Sequence, residues 1–249
     1  MKHKSFFALI TFILSLSAFA QLQEPGSAGA FIVEGDLAFE SEEHYEEYRQ
    51  SFAVGQGPKL IINTLADRKT FDVWSPAQRK ALTYCVSDSF GDRKKDVVEA
   101  LKVATEDWMT VAGVKFKHLA IEDANCNERN TRVMFDVRPV DFGIYLARAF
   151  FPNYARAKRN VLIDSSSFDF SFVAMTGFLR HELGHVLGFR HEHISTDGRG
   201  LCPEDDLFAP LTAYDRLSVM HYPQCGGANL IDNLILSELD KEGARKIYP

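Results

Sequence analysis

The sequence predicts a mixed α+β domain, and the order of its apolar patterns carries that prediction. Strand-like runs and one long helical pattern occupy the middle of the 249-residue chain, and a loop-rich stretch with a last helix follows. A content of 46% hydrophobic and 25% charged residues is typical of a globular protein. The net charge of −6 argues against a surface that binds nucleic acid.

The first twenty residues have the pattern of a cleaved export signal. Lys2 and Lys4 precede an apolar run at 6–16, and an A-x-A cleavage sequence follows at 18–20. The apolar run is short for a transmembrane anchor. We therefore expect a secreted or periplasmic protein with no stable membrane anchor after signal cleavage.

Spacing of apolar residues predicts the regular elements. A long helix is expected over 92–113, where apolar residues recur at intervals of four and three. A last helix is expected over 237–248, because its start, S-E-L-D, resembles a capping box. An early helix is expected over 41–52. Strands are expected at 81–87, 114–120, 132–138, 147–152 and 160–164. Pro152 at the end of the fourth strand favours a sheet edge.

The chain has four cysteines, which an exported protein can oxidise. Four cysteines allow three pairings. Proximity in sequence favours Cys85 with Cys126 and Cys202 with Cys225. No pair has metal-ligand spacing such as C-x-x-C, so we interpret all four as structural.

The stretch HELGHVLGFRHEH at 181–193 has the spacing of a metal site. His181 and His185 are one helical turn apart, which puts their Cβ atoms about 5–6 Å apart on one face. Gly188 can adopt a positive φ and end the helix, so that His191 returns to the same ion. Three neutral imidazoles leave one position of a tetrahedral zinc ion open. The sequence therefore predicts one catalytic Zn²⁺.

Glu182 is the residue that distinguishes a catalytic site from a structural one. It is turned about 100° from His181, so it suits contact with a water on the ion better than ligation. Zinc lowers the pKa of such a water toward about 7, and Glu182 would take its proton as general base. The alternatives are a solvated histidine-rich helix and a closed structural zinc site, which would leave Glu182 without a role.

The pattern H-E-x-x-H-x-x-G-x-x-H resembles the signature of metzincin zinc peptidases. The resemblance implies a methionine turn beneath the metal, and SVMHY at 218–222 offers Met220 for it. On this basis Met220 would be the apolar floor under the three histidines. An ordinary core methionine is the alternative.

Among metzincins the chain is most similar to the astacin-like family. Glu192 directly follows His191, and Tyr222 lies two residues after Met220. The resemblance implies that Tyr222 is a displaceable fifth zinc ligand that later donates a hydrogen bond to the oxyanion. It also implies that the edge strand at 147–152 pairs with an extended substrate. A packed tyrosine and an ordinary edge strand are the alternatives, and the cysteines depart from the usual positions of that family.

A possible latch precedes the catalytic part. VEGDL at 33–37 resembles the F-x-G-D motif of astacin-like pro-segments, with Gly35 and Asp36 matching and Val33 at the phenylalanine position. The resemblance implies that Asp36 binds the zinc in a latent form and that a new N-terminus later reaches Glu192. A simple turn is the alternative.

The resulting division of the chain has three parts. We expect a signal peptide at 1–20, an inhibitory pro-segment at 21–65 and a catalytic domain at 66–249, with the cleft between 66–188 and 189–249. The expected function is that of a secreted, monomeric zinc endopeptidase, made latent, that acts on protein or peptide substrates. The alternatives are a catalytically silent metzincin-fold binding module and a zinc hydrolase of cell-wall peptides.

Overall fold

The computed structural model describes residues 60–195, 202, 204, 207–229 and 234–249, and three short strands nearer the N-terminus. These are β1 (Leu22–Gln23), β2 (Phe31–Val33) and β3 (Leu37–Phe39), which form an antiparallel sheet in that order. The expected signal peptide, the helix expected over 41–52 and Asp36 lie outside the described residues.

A five-stranded mixed sheet confirms the α+β prediction. Its strands are β5 (Leu82–Val86), β6 (Phe116–His118), β7 (Phe135–Val140), β8 (Ala147–Arg148) and β9 (Asn160–Asp164). They lie in the order β6-β5-β7-β9-β8, and only β8 is antiparallel to its neighbour. All five strands expected from the sequence are present, and β8 is an edge strand as predicted.

Two helices pack against each other and against the sheet to form the core. In α1 (Lys94–Val111), the buried residues Val97, Leu101, Ala104 and Trp108 belong to the apolar stripe of the predicted helix. The second helix, α2 (Phe172–Val186), carries the histidine motif and begins at Ser171, whose hydroxyl accepts a hydrogen bond from the Ala174 N–H. The indole Nε1 of Trp108 donates to the Arg180 carbonyl over 2.8 Å, which joins the two helices directly.

The last helix, α3 (Glu238–Ile247), begins with the capping box that the sequence predicts. The Ser237 hydroxyl accepts from the Asp240 N–H, and the Asp240 carboxylate accepts from the Ser237 N–H. At its other end, the buried Tyr248 donates its hydroxyl proton to the Leu187 carbonyl over 2.6 Å. The helix therefore fastens the C-terminal part of the chain to the end of α2.

A second, small sheet combines one strand from before the main sheet with two strands that follow α2, and it is antiparallel throughout. Its strands are β4 (Ile61–Asn63), β10 (Phe189–Arg190) and β11 (Phe208–Pro210), with β4 in the centre. Leu60, Ile61 and Ile62 are at most 1% exposed. Strand β4 thus lies within the range 21–65 expected for the pro-segment, yet it pairs with the strand that leads to His191.

Both expected disulfides are present, Cys85–Cys126 and Cys202–Cys225. The first joins β5 to the irregular segment that follows β6. The second links the segment that follows the histidine motif to the segment that follows Met220. Among the described residues, no helix is both long enough and apolar enough to cross a membrane.

Candidate metal centre and active site

The histidine motif spans the end of α2 and the chain reversal that follows it. His181 and His185 lie in the last two turns of α2, both less than 5% exposed. Gly188 then adopts φ +94°, and its N–H donates to the His185 carbonyl over 2.8 Å. A side chain at Gly188 would also collide with the Asp72 carbonyl. The reversal directs the chain into β10 and brings His191 back toward the helix, as the sequence predicts.

The Nε2 atoms of the three histidines converge on one point. Nε2 of His191 is 3.2 Å from Nε2 of His185 and 3.2 Å from Nε2 of His181. Two imidazole nitrogens on a tetrahedral zinc ion with bonds of 2.0–2.1 Å are about 3.4 Å apart. The spacing of the three nitrogens therefore fits a zinc ion.

The Nδ1 atom of each histidine faces an oxygen acceptor. His181 faces the Val219 carbonyl at 2.8 Å, and His185 faces the Phe189 carbonyl at 2.7 Å. His191 faces the Glu204 carboxylate at 2.5 Å. An acceptor at Nδ1 selects the tautomer that is protonated there, which leaves the Nε2 lone pair for a metal. The donor set and its surroundings thus fit zinc held by three neutral imidazoles.

Glu182 lies on α2 beside His181 and is 3% exposed. A carboxylate in this place is withdrawn from bulk water and directly follows the first of the three histidines. That location suits a residue that accepts and returns a proton.

Met220 is fully buried in the turn between β11 and α3, and the turn is tied to the histidine loop. The Met220 carbonyl accepts from the Glu192 N–H over 2.9 Å, and the Glu192 carboxylate accepts from the Asp215 N–H over 2.8 Å. Burial raises the pKa of Glu192 to about 9, the Asp215 N–H opposes that rise, and the negative charges of Asp240 and Asp215 add to it. Glu192 therefore connects the loop that carries His191 to the segment that carries Asp215 and Met220.

Asp240 fixes the same turn from the other side. Its carboxylate accepts from the Ser218 hydroxyl over 2.6 Å and from the Val219 N–H over 2.8 Å. The Val219 carbonyl is in turn the acceptor for His181. Helix α3, whose cap includes Asp240, thereby supports the orientation of one histidine.

The ring of Tyr222 lies against the histidines. It is 4.2 Å from the His191 ring and 5.4 Å from the His181 ring, measured between centroids, and the latter pair is stacked at 13°. The ring is half-buried. The structure thus brings together His181, His185, His191 and Tyr222 among the predicted site residues. Glu182 is buried next to His181 in the sequence of α2, and Met220, Gly188 and Glu192 lie in the adjoining turns.

Sequence reasoning missed Glu204, Arg190 and the place of His193. One oxygen of Glu204 contacts His191 and also lies 3.1 Å from Nε2 of His193, and the other is 2.8 Å from the Arg190 guanidinium. Burial favours a raised pKa for Glu204, but His191 and Arg190 outweigh it and hold that pKa well below the usual range. An acidic residue in the irregular stretch after the motif was the only available signal.

His193 and His221 are buried beside the site and not at the converging nitrogens. His193 also lies near the sulfurs of Cys202 and Cys225, but these are joined in a disulfide and are not available to hold a metal. His221 Nε2 is 2.7 Å from the Tyr214 hydroxyl. Burial lowers the pKa of His221 to about 4, so this imidazole is neutral at physiological pH.

A family model described as matrixin matches residues 73–197, which is half of the chain. The chain belongs to the matrixin family. This family consists of zinc-dependent metalloendopeptidases, so the match supports a zinc metallopeptidase and agrees with the histidine cluster at 181–191. The match is to the matrixin family, so the astacin-like subfamily expected from Glu192 and Tyr222 is not confirmed.

Two solved structures of myroilysin have a similar fold. One has a TM-score of 0.51 at 16% identity and covers 72% of this chain and 96% of its own. The other has a TM-score of 0.50 at 15% identity and covers 81% of this chain and 96% of its own. At such identities the likeness shows a shared, metzincin-like fold. No curated protein matches the sequence significantly.

Proposed function

We propose that this matrixin is an exported, zinc-dependent endopeptidase whose zinc ligands are His181, His185 and His191. One observation carries the proposal: three Nε2 atoms converge while every Nδ1 atom faces an oxygen acceptor. A solvated histidine-rich helix would not bury all three imidazoles to 4% exposure or less. A closed structural site would require a fourth protein ligand, usually a cysteine or another histidine, and would leave Glu182 without a role.

Glu182 would act as the general base and then as the general acid. Zinc, when bound, supplies a Lewis acid for the substrate carbonyl and makes water easier to deprotonate. Glu182 accepts the proton of the attacking water and returns it to the amine that leaves. Its burial keeps bulk water from competing for that proton.

Tyr222 would stabilise the oxyanion. A phenol donates a strong hydrogen bond, and preorganised donors at the developing charge lower the barrier to acyl transfer. Stacking of its ring on His181 fixes the direction from which the hydroxyl approaches. This role, and displaceable ligation of the metal by Tyr222, are the two points at which the proposal follows the astacin-like resemblance.

The substrate would bind as an added strand along β8. This strand is at the sheet edge, and the chain that follows it reaches the metal centre, because the Phe151 ring lies 5.6 Å from the His185 ring. An extended peptide paired with an edge strand gains affinity from backbone hydrogen bonds and little sequence preference from them. Such pairing would bring a peptide carbonyl past the histidines.

The leader would consist of the signal peptide at 1–20 and an inhibitory segment that ends before Leu60. Strand β4 is the centre of the small sheet, so its removal would leave β10 without its partner. The pro-segment is therefore proposed to end before residue 60, and not at residue 65 as expected from the sequence. Asp36 remains the proposed latch on the zinc, and the mature chain is proposed to be monomeric.

Digestion of a proteome-derived peptide mixture tests the proposal. The chain that begins at residue 58 would be incubated with the mixture, with a chelator, and with a chelator followed by added zinc. Internal cleavage that the chelator abolishes and zinc restores is the expected result. No cleavage by a zinc-loaded chain would contradict it and favour a silent binding module. In a parallel digestion of cross-linked cell-wall peptides, cleavage of these alone would favour the hydrolase alternative.

A further inference from the structure

Glu204 is a fully buried carboxylate whose two oxygens have different partners. Its Oε2 accepts from the Arg190 guanidinium over 2.8 Å. Its Oε1 lies 2.5 Å from Nδ1 of His191 and 3.1 Å from Nε2 of His193. The exposed fraction of the Glu204 side chain is 0%. Burying a charged carboxylate costs free energy, and the three partners of Glu204 offset that cost. The arrangement suggests a role for Glu204 beside the histidines.

His191 depends on such a partner more than the other two histidines do. His181 and His185 are fixed by one helix, and backbone carbonyls face their Nδ1 atoms. His191 instead follows a two-residue strand, and the group that faces its Nδ1 atom is a side chain from outside that strand, Glu204. A carboxylate at Nδ1 also makes the opposite nitrogen more basic than a carbonyl does, and a more basic nitrogen binds a metal more tightly.

The disulfide Cys202–Cys225 holds this carboxylate at the site. Glu204 is two residues from Cys202, so the two Cα atoms are at most about 7 Å apart. Cys225 ends the short turn Pro223–Cys225, which begins directly after Tyr222. The crosslink therefore joins the segment that bears Glu204 to the segment that bears Tyr222.

From this geometry we infer that Glu204 is a positioning residue of the zinc centre: it orients His191 and strengthens its bond to the metal, and the Cys202–Cys225 disulfide keeps it there. The inference rests on the proposed ligand set. According to this inference, Glu204 contributes to the zinc affinity in addition to the three histidine ligands.

Zinc affinity, measured by competition with a chromogenic chelator, tests the inference without reference to catalysis. The Glu204→Gln variant keeps the shape and one acceptor but removes the charge. We expect its dissociation constant for zinc to rise about 10- to 100-fold, as is typical when an outer carboxylate partner is lost. The matched control is Asp136→Asn, since Asp136 is also fully buried and paired with arginines, Arg138 and Arg156, on the far sheet. That control should lose stability and keep its zinc affinity.

A Cys202→Ser/Cys225→Ser variant provides a second measurement of zinc affinity. If Glu204→Gln does not fold without metal, this variant tests the inference by itself. We expect weaker zinc binding, and a smaller further effect of Glu204→Gln in this background than in the disulfide-bonded chain. Zinc affinity equal to that of the wild type in either folded variant would overturn the inference. If the unmutated protein binds zinc but hydrolyses no peptide, that result would contradict the proposed function and leave this inference standing.

Discussion

Met220 packs its sulfur against the bare backbone of Gly184, the residue that precedes His185. A Cβ added at Gly184 would overlap the Met220 sulfur and approach Cζ2 of Trp108 to 3.3 Å. The glycine in the motif is thus required by the methionine below it, and not by its own helical backbone. The contact joins the two sequence features, motif and methionine turn, that predict the site.

Gly184→Ala tests this contact through the sign of its effect on stability. In an exposed helix the change stabilises by about 1 kcal/mol. Here overpacking should lower the free energy of unfolding by about 1–3 kcal/mol, which chemical denaturation measures.

The matched control for that substitution is the Met220→Ala background, which removes the sulfur. There, Gly184→Ala should be neutral or stabilising. Equal effects in both backgrounds would show that the two residues are not coupled.

Tyr222→Phe should separate catalysis from metal binding. The phenylalanine ring keeps the stacking on His181 and the three histidine ligands remain, so zinc affinity should fall far less than kcat. Loss of the hydroxyl should lower kcat by about 10²- to 10³-fold, as for other oxyanion donors. Tyr214→Phe is the control, since its hydroxyl contacts Nε2 of His221. A Tyr222→Phe variant as fast as Tyr214→Phe would exclude the role of the phenol.

Truncation tests whether β4 belongs to the catalytic domain. A chain that begins at residue 66 loses the hydrogen bonds from the Asn63 N–H to the Gly188 carbonyl and from the Leu211 N–H to the Leu60 carbonyl. It also loses three buried aliphatic side chains, at 60–62. We expect it to be insoluble or to unfold without cooperativity, whereas a chain that begins at residue 58 should fold. Cooperative thermal unfolding of the shorter chain would place β4 outside the domain after all.

Asp240 should make stability depend on pH between about 4 and 6. Burial raises its pKa from 3.8 to about 6 despite the hydrogen bonds from Ser218, Val219 and Ser237 that oppose the rise. The folded chain therefore binds the proton more tightly than the unfolded chain. The contribution is fully present below pH 4 and is lost as pH rises to about 6, at a cost on the order of 3 kcal/mol.

Asp240→Asn should remove the part of this dependence that comes from Asp240 and leave the part that comes from Glu192. The amide can donate to the Ser218 hydroxyl and accept from the Val219 N–H, so the turn keeps its hydrogen bonds. Urea unfolding of the metal-free chains across that pH range gives the difference between wild type and variant directly. Parallel profiles would mean that Asp240 does not titrate in this window.

Residues placed by local spacing could be predicted from the sequence, and residues placed by distant contacts could not. His181, Glu182 and His185 follow from one helical turn, and Gly188 from the reversal that His191 needs. Glu204 comes thirteen residues after His191, close to a disulfide-bonded cysteine, and nothing in its local pattern shows which group it faces.

The same limit explains the boundary of the leader. The apolar residues 60–62 have the pattern of a strand, but the sequence does not show that their partners are β10 and β11. Strand pairing between segments far apart in sequence is decided by tertiary packing. For that reason the elements of the domain could be predicted from local spacing, whereas the domain border stays a prediction.

The most direct test of the account is a comparison of zinc content and peptide hydrolysis between the wild type and Glu182→Gln. The account predicts one zinc per chain in both proteins, and a hydrolysis rate in the variant lower by about 10²- to 10⁴-fold, the usual contribution of a general base. A variant that binds zinc and hydrolyses peptides at the wild-type rate would contradict it.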